Sequence, residues 1–205
     1  MSKGFDPKDA YFKRAKSEGY RARSAFKLSE ILSSQPLIRK GWTVLDLGAA
    51  PGGFLQVLAE KVGPRGHVVG VDLKKIDGLS HAGTVTLVGD VEDDSLVDEL
   101  KRLHSQYDAV FSDMAPATTG SMATDAARSH RLVERALYIS SKVLRPGGVF
   151  VAKAFMGPGF DEMVQDIRRS FASVKIARPK ATRSRSKECF LVGKSYRPLA
   201  LEDSV

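Results

Sequence analysis

Cysteine is almost missing from this chain: Cys189 stands alone among 205 residues. No internal disulfide can form from it, and no cysteine-based zinc site can be built. Long apolar runs are missing too, since no stretch approaches the roughly 20 apolar residues that cross a bilayer. The opening MSKGFDPKDA has none of the apolar core of a secretory signal. Histidine is scarce, and the four at 67, 81, 104 and 130 lack ligand spacing, so no metal is expected. Internal repeats and Pro- or Ser-rich linkers are absent, which argues against a second domain. These absences point to a soluble, cytoplasmic globular protein, monomeric by default. It reads as one domain over residues 1–205, with a basic arm at 1–20 and a short tail at 194–205.

What the sequence has in excess is positive charge, +8 in all, and it is unevenly spread. Residues 1–27 carry +5 and residues 168–187 carry +8 without a single acid, whereas residues 28–167 carry −4. Two basic ends around an acidic middle favour a polyanionic partner, provided the ends meet in the fold.

Apolar periodicity sets the order of elements. Helical spacing runs over 21–33, with Ala22, Ala25, Phe26, Ser29 and Leu32 near one another. An apolar strand from Trp42 to Leu47 stops at the small-residue loop GAAPGG, and a helix from Phe54 to Val62 is broken by Gly63-Pro64. Strands follow at His67–Leu73, Val85–Val88, Tyr107–Ser112 and Val149–Ala154. Between them lie helices at Ser95–His104 and 124–144, the first with Asp93 or Asp94 as a cap. A helix at Phe160–Phe171 precedes two last strands, Val174–Ala177 and Cys189–Val192. Strands alternating with helices predict an α/β fold, a mostly parallel sheet covered on both faces. The final two strands, joined by a loop too short for a helical crossover, read as an antiparallel pair.

Ligands of such sheets sit at the carboxyl ends of the strands. In Asp46-Leu47-Gly48-Ala49-Ala50-Pro51-Gly52-Gly53-Phe54 the small residues Gly48, Ala50, Pro51, Gly52 and Gly53 let a ligand approach the backbone, beside the amino end of a helix. The loop is neither G-x-G-x-x-G nor a Walker loop. Asp72 ends the second strand, placed to take two ribose hydroxyls. Asp90, in Gly89-Asp90-Val91, ends the third and suits the exocyclic amine of an adenine, and Asp113 ends the fourth. Three carboxylates would repel a phosphate, so a nucleoside carrying positive charge fits better than NAD. S-adenosylmethionine has that chemistry, and the pattern resembles the cofactor site of class I methyltransferases.

A second constellation lies beside the first. Lys153 is flanked by Val149-Phe150-Val151-Ala152 and Ala154-Phe155, and a lysine in an apolar strand loses hydration, so its ammonium must be paired or its pKa lowered. Lys27 sits on the first of these helices, Asp113 ends the fourth strand, and Glu188 opens the last. Two lysines with two carboxylates can hold a hydroxyl and help remove its proton.

Here the resemblance is close. Gly19–Leu28 (GYRARSAFKL), Asp46–Phe54, Ser112-Asp113-Met114-Ala115-Pro116, Val151–Phe155 and Arg183-Ser184-Arg185-Ser186-Lys187-Glu188 resemble, in order and spacing, motifs of the FtsJ/RrmJ family of RNA 2′-O-ribose methyltransferases. The match spans residues 9–193. It implies a Rossmann-like fold with a seven-stranded sheet, S-adenosylmethionine as cofactor and ribosomal RNA or the large ribosomal subunit as partner, a uridine 2′-hydroxyl being the favoured target. It implies a catalytic tetrad at Lys27, Asp113, Lys153 and Glu188, and cofactor contacts at Gly52, Phe54, Asp72, Asp90 and Asp113, with Gly48, Ala50, Pro51, Gly53 and Val91 around them. Many family members carry Trp where this chain has Phe54. Arg21, Arg23, Arg183 and Arg185 are the residues expected to grip RNA, and Tyr11, Phe12 and Tyr20 either stack on bases or pack the arm onto the core. The competing readings are a tRNA 2′-O-methyltransferase, a methyltransferase for a small molecule or a protein, and a non-catalytic RNA-binding assembly factor.

Overall fold

The computed structural model describes residues 7–79, 81–182 and 186–198. Its elements are α1 (Pro7–Ser17), α2 (Ser24–Ser34), β1 (Thr43–Leu47), α3 (Gly53–Val62), β2 (His67–Asp72), β3 (Thr84–Val88), α4 (Ser95–Leu103), β4 (Tyr107–Ser112), α5 (Met122–Val143), β5 (Leu144–Phe155), α6 (Phe160–Ser170), β6 (Phe171–Ala177) and β7 (Glu188–Tyr196). The sheet runs β3-β2-β1-β4-β5-β7-β6. Strands β1 to β5 are parallel, and β7 inserts antiparallel between β5 and β6. The α/β reading, with its antiparallel final pair, therefore holds.

Strand alternation decides what each face buries. Along β5, Phe150, Ala152 and Ala154 join the core under α4, α5 and α6, which also contains Leu100, Ile139 and Ile167. Val149 and Val151 join the core under α2 and α3, with Leu28, Leu55 and Leu58. Each fully buried Val, Leu, Ile or Phe among them contributes about 1.5–3 kcal/mol. The same alternation sends Lys153 to the α2 side.

Several elements differ from the sequence reading, with β6 starting at Phe171 rather than Val174 and β7 running from Glu188 to Tyr196 rather than from Cys189 to Val192. Helix α1 was not anticipated; it is polar, and among its described side chains Ala15 is the buried one. Strand β5 begins at Leu144 rather than Val149, because buried Leu144 pairs with Tyr107 and a register shift then absorbs Pro146 and the glycines. In α2 the buried face is Ala25, Phe26, Lys27, Leu28 and Ile31, one step around the helix from the predicted stripe. Of the two candidate caps, Asp93 is the one whose carboxylate accepts the Ser95 N–H, at 2.9 Å, which holds its pKa below the ordinary range.

The two basic ends do meet. Ala15 of α1, Phe26 of α2 and Ala181 of the β6–β7 loop form one small cluster, with Tyr11 and Tyr20 against it. Tyr11 and Tyr20 lie 6.0 and 5.7 Å from the Phe26 ring. Glu30 on α2 ties the loop down by accepting the Lys180 N–H at 2.8 Å.

Candidate active site

The carboxyl ends of the strands are tied to one another by backbone bonds. Gly48 N–H donates to Val71 O at 2.9 Å, Gly89 N–H to Asp72 O at 3.0 Å, and Asp113 N–H to Leu47 O at 3.1 Å. The loop after β1 is thereby fixed against its neighbours. Gly48 is required there, since its φ is +76° and a Cβ would stand 2.6 Å from the Met114 side chain and 3.0 Å from the Met114 backbone nitrogen. Asp72 reinforces the loop: one carboxylate oxygen accepts Ala50 N–H and the other Lys74 N–H, both at 2.9 Å.

Over these ends lies a cavity of about 330 Å³ lined by Gly48, Ala50, Asp72, Asp90, Val91 and Asp113, among others. Glu92 adds a fourth carboxylate, itself paired with Arg131 at 3.0 Å and Arg135 at 3.6 Å, and among the described residues no lysine or arginine lines the cavity. Beneath it Asp46 is wholly buried, with both carboxylate oxygens lacking any hydrogen-bond partner. Burial, and then the negative charges of Asp113 and Asp72, push its pKa well above the ordinary range. A wall in which Asp72 and Asp90 have no ion pair among the described residues fits a ligand bearing an ammonium and a sulfonium, and disfavours one bearing phosphates. S-adenosylmethionine meets that requirement.

Beside the cavity the two lysines are each engaged by a carboxylate. Lys153 Nζ donates to the Asp113 backbone oxygen and, at 3.0 Å, to Asp113 Oδ1. Lys27 Nζ donates to Glu188 Oε1. All four side chains are largely shielded from solvent. Pairing of Lys153 with Phe190 and of Phe155 with Glu188 makes Lys153 and Glu188 diagonal neighbours on one face of the sheet. The tetrad read from sequence is thus brought together, as two pairs side by side.

Residues 20–196 match the model of the family described as FtsJ-like methyltransferase. The chain belongs to that family. A ribosomal RNA large subunit methyltransferase E of Myxococcus xanthus is 52% identical over 194 residues, covering 94% of this chain and 91% of the relative. Another so named, from Anaeromyxobacter sp. strain Fw109-5, is 48% identical over 201 residues, 98% of this chain and 73% of the relative. Among solved structures, a Plasmodium falciparum protein described as a ribosomal RNA methyltransferase superposes with a TM-score of 0.77 at 23% identity, covering 86% of this chain and 98% of that one. Fibrillarin of Aeropyrum pernix, solved with S-adenosyl-L-methionine bound, gives 0.55 at 15% identity over 82% and 75%. At those identities the two structures speak for the fold, that of class I methyltransferases.

For this FtsJ-like methyltransferase the remaining predicted residues separate into groups. Pro51, Gly52, Gly53 and Phe54 do not line the cavity; Phe54 is core, its ring 6.2 Å from that of Phe190. Arg21 lies over the loop, donating from Nη1 to Pro51 O at 3.3 Å. Arg23 precedes α2, its side chain half-buried. Arg183 and Arg185 lie outside the described residues, as does the Phe12 side chain. Sequence reading passed over Leu73, Met114 and Leu132 in the cavity wall, and Asp46 beneath it. Leu73, 69% exposed directly after Asp72, lies in that wall, but a strand end does not reveal which way a side chain leaves. Asp46 was detectable: an acid inside the apolar strand TVLDL is the same anomaly that singled out Lys153. Among the described residues no cluster of three or more His, Cys, Asp or Glu could hold a metal, and no helix is long and apolar enough to cross a membrane.

Proposed function

We propose that this enzyme methylates a ribose 2′-hydroxyl of large-subunit ribosomal RNA, a uridine by preference, with S-adenosylmethionine as donor. The observation that carries it is the pair of lysine–carboxylate contacts, Lys153–Asp113 and Lys27–Glu188, set at the rim of an acidic cavity. Asp72, Asp90 and Asp113 would hold the cofactor, which supplies an electrophilic methyl group. An ammonium has three donors, and Asp113 occupies two of those on Lys153. The third is left to hold the ribose oxygen, orient its lone pair and stabilise the negative charge that grows as its proton passes to solvent water. Lys27 adds a second positive charge to the site, and Glu188 keeps that side chain from swinging away. The two basic ends, packed together on Phe26, give RNA phosphates a place to bind, with Arg21, Arg23, Arg183 and Arg185 as contacts. With ribosomal RNA as substrate, we take the enzyme to work in the cytoplasm, as a monomer and as one domain.

The test uses radiolabelled S-adenosylmethionine and large subunits from cells lacking the gene, followed by digestion to nucleosides. Label in a 2′-O-methylnucleoside of the large-subunit RNA is expected. Label on a base, in tRNA or in protein would overturn the reading.

A further inference from the structure

A second cavity, of about 210 Å³, opens at the same edge of the sheet, between the amino end of α5 and the ends of β5 and β7. Its walls are Met122, Ala126, Phe155 and Met156, with Thr118, Ser186 and the Lys187 ammonium, which donates to Met122 Sδ, supplying polar groups. Two thioethers and an aromatic ring present broad polarisable faces.

This pocket is preformed. Asp125 at its border accepts from Thr119 N at 2.7 Å, Thr119 Oγ1 at 2.9 Å and Gly120 N at 3.2 Å, so its carboxylate is spent on shaping the wall. Arg128 Nη1 holds the same loop through Ala117 O at 3.3 Å. On the opposite side, Met156 N–H donates to Lys187 O at 2.9 Å, and Glu188 N–H donates to Ser186 Oγ at 3.2 Å. The last bond joins the pocket to the tetrad.

Position supplies the occupant. Phe155 lies two residues beyond Lys153 on the same side of β5 and directly opposite Glu188. In a ribonucleotide the base is carried on C1′, next to the C2′ that bears the hydroxyl. A hydroxyl held at Lys153 therefore has its own base one ring away. Asp113 borders the acidic cavity on the β1–β2 side, the cofactor's place in the reading above, and the Lys27–Glu188 pair is polar. We infer that the Met122–Met156 pocket receives the nucleobase of the target nucleotide, turned out of its RNA helix, and sets the position of the ribose through it. Flat faces meet the thioethers and Phe155, while the polar edge of the base meets Thr118 and Ser186. Extrusion of a nucleotide into a shaped pocket is how proteins reach atoms shielded by stacking.

The inference rests on the proposed RNA ribose activity, and its test separates the two. Single-turnover methyl transfer is measured on large subunits reconstituted with RNA that carries either the normal target nucleotide, as mapped with the unaltered enzyme, or an abasic ribose there. Removing the base is expected to slow the unaltered enzyme by about tenfold or more, the worth of a base stacked on protein. Met122→Ala is expected to slow transfer to the normal RNA by a similar factor and to leave transfer to the abasic RNA unchanged, with cofactor affinity intact. Met156→Ala, on another element, repeats the pattern and guards against a local folding defect. Equal slowing of both RNAs by either variant, or an abasic target methylated at full rate, overturns the pocket assignment while leaving the activity standing. No ribose label with any RNA overturns both.

Discussion

The edge of the sheet where the strands end is divided electrostatically. On the β1, β2 and β4 side Asp72, Asp90, Glu92 and Asp113 face a cavity whose wall holds no lysine or arginine among the described residues, with Asp46 buried beneath and Glu92 paired with Arg131 and Arg135. On the β5 and β7 side each carboxylate has a lysine against it, and the flanking segments carry most of the chain's positive charge. One half is thus prepared for a small cation and the other for a polyanion, a few strands apart. Asp113 belongs to both, lining the cavity while it holds Lys153. A sheet that stiffens both halves through the same backbone ties can keep two oppositely charged ligands in register.

Substitutions can pull the halves apart. Lys153→Ala acts on the lysine half: methyl transfer falls by about 10²–10³-fold, while calorimetry shows cofactor affinity within about threefold of normal, as expected where only a charge-stabilising donor is lost. A variant with full activity would break the division. Asp113→Ala should injure both halves, lowering the rate and weakening cofactor binding about tenfold, since a charge-assisted contact is worth about 1.5–3 kcal/mol. Asp72→Ala stays on the acid side: the Michaelis constant for cofactor rises about tenfold, and the rate at saturating cofactor is largely restored.

Asp46 offers a pH readout. Its carboxyl ionises at higher pH in the folded chain than in the unfolded one, where it ionises above about 3.9. Between those two values the unfolded state binds fewer protons, so stability is lost as pH rises. Asp46→Asn lacks this loss. Its melting temperature, measured without ligand, should pull ahead of the unaltered protein's as pH climbs from about 4, then keep a constant lead once the folded carboxyl has ionised. Each kcal/mol moves the midpoint by about 2–4 °C in a chain of this size. A lead independent of pH would place the ionised carboxylate in both states alike. The smallest effect belongs to Arg169→Ala, which removes an exposed pair with Asp166 at side-chain exposures of 73% and 60%. Thermal unfolding should register no more than about 1 kcal/mol, in contrast with the shielded pairs of the site.

Much of this was legible because strand ends and charge anomalies are local properties. Asp72, Asp90 and Asp113 each terminate an apolar run, and Lys153 interrupts one; each fact is visible within a few residues. The pairing was not, since Lys153 meets Asp113 through β5 lying beside β4, and Lys27 meets Glu188 through β7 inserting between β5 and β6, both long-range choices. Phe54 illustrates the opposite failure. A motif places it near the ligand, but as the second residue of α3 its side chain turns into the sheet against Phe190. Helix α1 escaped because its propensity is unremarkable and tertiary contacts through Tyr11, Ala15 and Phe26 stabilise it. The β5 start at Leu144 was hidden by Pro-Gly-Gly, a local stop signal overruled by burial of one leucine.

Cys189 is the second residue of β7, buried, its thiol donating to Ala154 O at 3.6 Å and its pKa pushed up by burial to about 12. The thiolate that reagents require is scarce at neutral pH. A chain with a silent native thiol is, in effect, already prepared for site-directed probes. One cysteine introduced at Thr118 or Arg23 would carry a fluorophore or spin label alone, and RNA arrival and cofactor arrival could each be watched as separate signals from the same molecule.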